Sequence, residues 1–163
     1  MNVFKFTTLL VITLCLFSCG TPLSPNRSET EQNQFKQLLL ESLRKEYNQP
    51  FKALNFKYEY KTHYPNGACN DCRILKYGTF YFKIIAVNNP SVIINSIIYD
   101  NKKESIKALI DSFKKSRLKN IYCGSFSNYW DKHREDKNNA TLNKTMKYCN
   151  DRGQEKAYNV LAR

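Results

Sequence analysis

The residues from which most enzyme motifs are built are scarce in this chain. It has five glycines, five prolines, two histidines and one tryptophan in 163 residues. There is no glycine-rich phosphate loop and no Gly-x-Ser-x-Gly elbow. Two histidines, His63 and His133, leave little from which to assemble a nucleophile–base–acid triad, and no His-Glu-x-x-His is present. Acidic residues are also short, 14 against 26 basic, giving a net charge of +12. Such a balance points to an anionic partner, yet there is no dense Lys/Arg run and no nucleic-acid motif. Lysine (19) and asparagine (18) are both abundant, as in the product of an AT-rich gene, so the charge is explained without a nucleic acid. No apolar run approaches the roughly 20 residues of a membrane span; residues 6–17, "FTTLLVITLCLF", make only twelve.

Enough apolar material is present for a folded core: 42% of residues are hydrophobic and 13% aromatic. Met1-Asn2-Val3-Phe4-Lys5 carries one positive charge ahead of the twelve-residue apolar run, and Ser18-Cys19 follows it. This is the layout of a signal peptide. Leu16-Phe17-Ser18-Cys19 resembles the lipobox of bacterial lipoproteins, with Leu at −3, a small residue at −1 and the cysteine at the cleavage point. Cys15 does not fit, because Leu14 before it is bulky and cleavage there would split the apolar run. The resemblance implies removal of residues 1–18, attachment of diacylglycerol (palmitate or similar chains) to Cys19, and a membrane partner reached through that lipid. Gly20, rather than Asp, in the next position implies the outer membrane in a Gram-negative host.

Residues 19–28 then read as a lipidated flexible tether, and residues 29–163 as one domain. Ser28 and Glu31 form a capping box for a first helix with Phe35, Leu38, Leu39, Leu43 and Tyr47 on its apolar side, ending near Asn48-Gln49-Pro50. Leu54, Phe56, Tyr58 and Tyr60 alternate as in a half-buried strand, and Phe80, Phe82, Ile84 and Ala86 as in a second spanning 77–87. Residues 92–99 are apolar at nearly every position, which predicts a central strand. Asp100-Asn101 is placed to cap a second helix buried through Ile106, Leu109, Ile110 and Phe113. Its other sides carry Lys102, Lys103, Lys107, Lys114, Lys115, Arg117 and Lys119, a basic surface suited to anionic lipid. The fold class is therefore α+β: helix, three-stranded antiparallel meander, helix. Beyond it the pattern predicts a short strand at 121–123, Trp130 sealing the core edge, a solvated loop at 131–139, a short helix at 141–149 and an edge strand at 157–161.

With Cys15 removed and Cys19 acylated, Cys69, Cys72, Cys123 and Cys149 remain, an even number in an exported chain. The expected pairing is Cys69–Cys72 and Cys123–Cys149, with the two crossed connectivities open. A zinc site lacks a second close pair or neighbouring histidines, so neither metal nor cofactor is expected. The predicted function is non-enzymatic: a lipid-anchored envelope protein whose domain binds a protein or envelope component, with no nucleic acid. The candidate binding loop contains His63, Tyr64, Pro65, Asn66 and Asp71. One alternative is an immunity or inhibitor lipoprotein that neutralises a toxin or hydrolase. Another is a thiol oxidoreductase using Cys69 and Cys72, although the residues that follow read as strand rather than helix.

Overall fold

A computed structural model describes residues 21–64 and 74–153. The architecture is the expected α+β, one sheet with helices on one of its faces. In chain order the elements are β1 (Thr21–Pro22), α1 (Glu29–Tyr47), β2 (Phe51–His63), β3 (Leu75–Ala86), β4 (Asn89–Asp100), α2 (Ile106–Phe113), α3 (Lys119–Lys132) and α4 (Ala140–Asp151). A π-helical turn, Lys114–Leu118, joins α2 to α3, and a 3₁₀ turn, Arg134–Asn138, precedes α4.

Helix α1 starts at the predicted capping box. Ser28 Oγ accepts from Glu31 N, and the Glu31 carboxylate accepts from Ser28 N at 2.9 Å. Asn48 ends the helix in a left-handed conformation, φ 49°, just before Pro50. Phe35, Leu39, Leu43 and Tyr47 are buried at steps of four, and Phe35 stacks on Phe80 of the sheet with ring centroids 3.9 Å apart.

The strands pair as an antiparallel meander, β2 with β3 and β3 with β4. Strand β3 is the central one, and residues 92–99 belong to an edge strand, contrary to expectation. The apolar run in β4 does not mean burial on both faces. Val92, Ile94 and Ile98 point into the core, whereas Ile93, Ile97 and Tyr99 face outward. Leu54 also departs from its predicted face. A bulge between Ala53 and Asn55 inserts one residue, leaving Leu54 exposed while Ala53, Phe56 and Tyr58 pack on the core.

Residues 21–28, expected as a flexible tether, lie docked on the domain. Thr21 and Pro22 run parallel to Leu75 and Lys76 of β3, with Thr21 N donating to Ile74 O and Leu23 N to Lys76 O. Strand β2 already occupies the other side of Leu75–Lys76, so β1 shares an edge of β3 with β4. Ser24 is fully buried and its Oγ accepts from Gly78 N at 3.1 Å. Tyr60 donates to Ser24 O and Tyr58 to Pro25 O. Arg27 is buried against Asp100, Nε to Oδ2 at 2.7 Å and Nη2 to Oδ1 at 2.9 Å, and also donates to Glu104 O and Glu31. Asp100 is thus an ion-pair partner and not a cap. Helix α2 is capped by Ser105, whose Oγ accepts from Ala108 N, and Lys102 and Lys103 precede the helix.

The C-terminal part is helical where a strand was expected. Residues 121–123 lie within α3, and 131–139 contains the end of that helix and the 3₁₀ turn. The buried stripe of α2 runs through Ile106, Ile110 and Phe113, then resumes at Leu118, Tyr122 and Phe126. The step from 113 to 118 is one residue longer than an α-helix provides, and the π turn absorbs it. Tyr47 closes the gap: its hydroxyl donates to Leu118 O at 2.5 Å and accepts from Tyr122 N at 3.2 Å. It thereby sits inside what would be a single main-chain hydrogen bond of the helix. Helix α4 forms as predicted, one residue earlier and two later than the pattern gave. The expected strand at 157–161 lies outside the described residues.

Candidate binding surface

Because α1, α2 and α3 cover one face of the sheet, the opposite face carries the outward residues of each strand. Strand periodicity puts Tyr77, Thr79, Tyr81, Lys83 and Ile85 of β3 on that face, beside Ile93, Ile97 and Tyr99 of β4 and Lys57, Glu59 and Lys61 of β2. Register aligns them in rows: Lys57–Tyr81–Ile97 and Glu59–Thr79–Tyr99. Ile93 and Ile97 are each 38% exposed and Tyr99 56%. Tyr77 and Tyr99 meet edge to face at 6.4 Å. The result is an aromatic and aliphatic patch at the centre and β4 side of the face.

Its β2 side is charged. Glu59 bridges Lys57 and Lys61, and these hydrogen bonds hold its carboxyl well below the usual range, at about 2. Lys61 also lies 4.8 Å from the Tyr81 ring centroid and donates to the Tyr81 hydroxyl. The Glu59 contact raises the Lys61 ammonium further above its usual range. In the second row, Thr79 is only 1% exposed, and its Oγ1 has no hydrogen-bond partner among the described residues. Along the outer edge of β4, Arg117 reaches back to Ile97 O at 2.8 Å. The π turn thus rotates Arg117 out of the core, and it caps part of an edge that would otherwise expose free carbonyls.

The residues predicted as a binding loop are only partly described. His63 ends β2 and is exposed, and Tyr64 follows it at 66% exposure. Pro65, Asn66, Asp71, Cys69 and Cys72 lie outside the described residues, as does Cys19. Cys123 and Cys149 form the expected disulfide, with Cα atoms 5.6 Å apart, tying α3 to α4. Both are fully buried, and their bond excludes the crossed pairings with Cys69 or Cys72. His133 ends α3, with its Nδ1 2.9 Å from Tyr129 O and its ring stacked on Tyr129 at 4.1 Å. Trp130 stacks on Phe126 and packs against the core, as expected.

Among the described residues no group of three or more His, Cys, Asp or Glu could hold a metal ion. No helix among them is long and apolar enough to cross a membrane. A cavity of about 470 Å³ opens at the α1–α4 end, lined by Tyr47, Asn89, Tyr122, Lys144, Thr145 and Tyr148. Burial pushes the Tyr47 hydroxyl above its usual range there, and Thr145 is already engaged by Asn89 Nδ2 at 2.9 Å.

The patch of Tyr77, Tyr81, Tyr99, Ile93 and Ile97 was not singled out from the sequence. Its signal was present as the second phase of two alternating strands, but a strand apolar in both phases reads equally as buried on both faces. No family model, no curated protein and no solved structure matched the chain at a significant level.

Proposed function

We propose that this protein is a lipid-anchored component of a bacterial cell envelope, acylated at Cys19, that works by binding another protein across the open face of its sheet. The Leu16-Phe17-Ser18-Cys19 run supports the anchor. The buried Cys123–Cys149 bond is in keeping with an oxidising compartment. The observation that carries the binding function is the outward face itself. Tyr77, Tyr81 and Tyr99 beside Ile93 and Ile97 make the kind of surface from which interface centres are built, because tyrosine offers large area at low entropic cost. Lys57, Lys61 and Lys83 border it, and with a net charge of +12 that becomes +11 once residues 1–18 and their Lys5 are removed, they select a partner with an acidic rim. Gly20 after the acylated cysteine favours the outer membrane in a Gram-negative host.

Two experiments test this reading. Metabolic labelling with a fatty acid should mark the wild type and leave Cys19→Ser unmarked; equal labelling would remove the anchor. A photocrosslinking residue at position 97 should give one discrete adduct in cells, absent when the same residue is placed at position 111 among the helices. The captured protein, purified, should bind the wild type and bind Lys57→Glu/Lys61→Glu several-fold more weakly at low salt. Adducts of one pattern from both positions, or none from position 97 in processed and folded protein, would overturn the surface.

A further inference from the structure

Residues 21–28 form a docked strap that limits where a lipid on Cys19 can reach. Thr21 is hydrogen-bonded to β3, and only Gly20 separates it from Cys19. An extended chain spans at most about 3.6 Å per residue, so a lipid on Cys19 starts within about 7 Å of Thr21. Such a lipid has no free tether to reach the bilayer from any other side. Thr21 lies beside Leu75, and Leu75 lies opposite His63, so the anchor emerges at the β2–β3 end of the sheet. At that end stand exposed His63 and Tyr64, then Lys76. Strand β4 also finishes there, opposite Gly78, and leads into exposed Lys102 and Lys103. Of the neighbouring acids, Asp100 and Glu31 both pair with Arg27.

We infer that this end of the domain, His63, Tyr64, Lys76, Lys102 and Lys103, is a docking surface for an anionic phospholipid bilayer, with the sheet standing upright on it. This orientation rests on the lipid-anchor reading above. Tyr64 is the amphipathic ring that suits the headgroup layer, and the lysines complement anionic headgroups. The opposite end, with exposed Leu54 and Val87, faces away. The tyrosine-bearing sheet face is left perpendicular to the membrane and open to a partner.

The test uses the full lipidated chain on vesicles of phosphatidylcholine and phosphatidylglycerol, read by hydroxyl-radical footprinting. The reference is the same chain with twelve Gly/Ser residues inserted between Gly20 and Thr21, a spacer of about 20 Å. His63 and Tyr64 should be oxidised several-fold less in the native-length chain than in the inserted one, with Leu54 and Val87 equal in both. Equal oxidation of Tyr64 in the two chains, or protection of Val87 instead, would overturn the orientation. Undiminished protection on phosphatidylcholine alone would overturn the role assigned to the lysines. The mass of the Cys19 peptide separates the two readings: an unmodified cysteine overturns the anchor and the orientation together, whereas an acylated Cys19 without protection overturns the orientation alone.

Discussion

Arg27 and Asp100 form the contact on which the strap depends, and replacing Arg27 by methionine isolates its contribution. The guanidinium donates to both Asp100 oxygens, to Glu104 O at 2.7 Å and to Glu31 at 3.2 Å. The side chains are 3% and 0% exposed. Methionine fills much of the volume but leaves the Asp100 carboxylate buried with no cation. Removing one partner from such a pair costs about 3–5 kcal/mol, most of it the penalty of the stranded charge. At ~2.1 cal/mol/K per residue over the roughly 125 described residues, that lowers Tm by about 11–19 °C. Replacing both, Arg27→Met/Asp100→Leu, removes the stranded charge along with the pair. The double variant should therefore recover most of the loss and be more stable than Arg27→Met alone. Urea unfolding of the four proteins gives the cycle. The loss should also survive high salt, since the pair is shielded from counter-ions. The reasoning is refuted if Arg27→Met costs under about 1 kcal/mol, or if the two single losses simply add.

Tyr47→Phe should cost about 1–3 kcal/mol in urea unfolding, because Leu118 O and Tyr122 N both lose their partner; a change too small to measure would mean that the helix closes its own bond across the π turn. Reducing Cys123–Cys149, which are 26 residues apart, should cost about 3–4 kcal/mol on the chain-entropy model, seen as a lower urea midpoint with dithiothreitol. Gly78→Ala should lose about 1–3 kcal/mol, since the new Cβ would overlap the Tyr58 ring and hydroxyl, and Tyr58→Ala in the same chain should relieve that clash. Alkaline pH should destabilise the fold. Burial raises Tyr58 from 10.0 to about 12 and raises Tyr47 further, so the folded state keeps protons that the unfolded state releases. Stability then falls as pH rises from about 10 towards 12, and ultraviolet difference titration should show these tyrosines ionising late. All tyrosines titrating together in a still-folded protein would contradict it.

Local patterns carried the first half of the fold because there the period is unbroken and the punctuation is strong. Ser28 with Glu31, the four-residue steps from Phe35 to Tyr47, and Pro50 specify α1 within a residue. The inward residues of β3 were legible for the same reason. Reading failed where the period slips. The bulge at Leu54 and the π turn at Lys114–Leu118 each add one residue, and the apolar phase before them no longer predicts the phase after. Ile121-Tyr122-Cys123 looks like strand only because its helical partners, Leu118 and Phe126, belong to a stripe out of step with α2. The strap was illegible for a different reason. Nothing in "TPLSPNRS" marks burial locally; Ser24 and Arg27 are buried by Gly78 and Asp100, far along the chain. The candidate surface was half visible: its strands were read, but which face of β4 the isoleucines occupied depended on the described helices all lying on the other side of the sheet.

The strap also sets an order of events. Ser24 waits for Gly78, 54 residues later, and Arg27 for Asp100, 73 residues later. A chain delivered N-terminus first across a membrane presents residues 21–28 long before their partners arrive, so at that stage they remain extended in water. If the chain is processed at Ser18–Cys19 as proposed, the peptidase would meet residues 21–28 before Thr21 pairs into the sheet. On the proposed anchor, the sequence distance between Arg27 and Asp100 would act as a delay, leaving the cleavage point open until most of the domain has emerged.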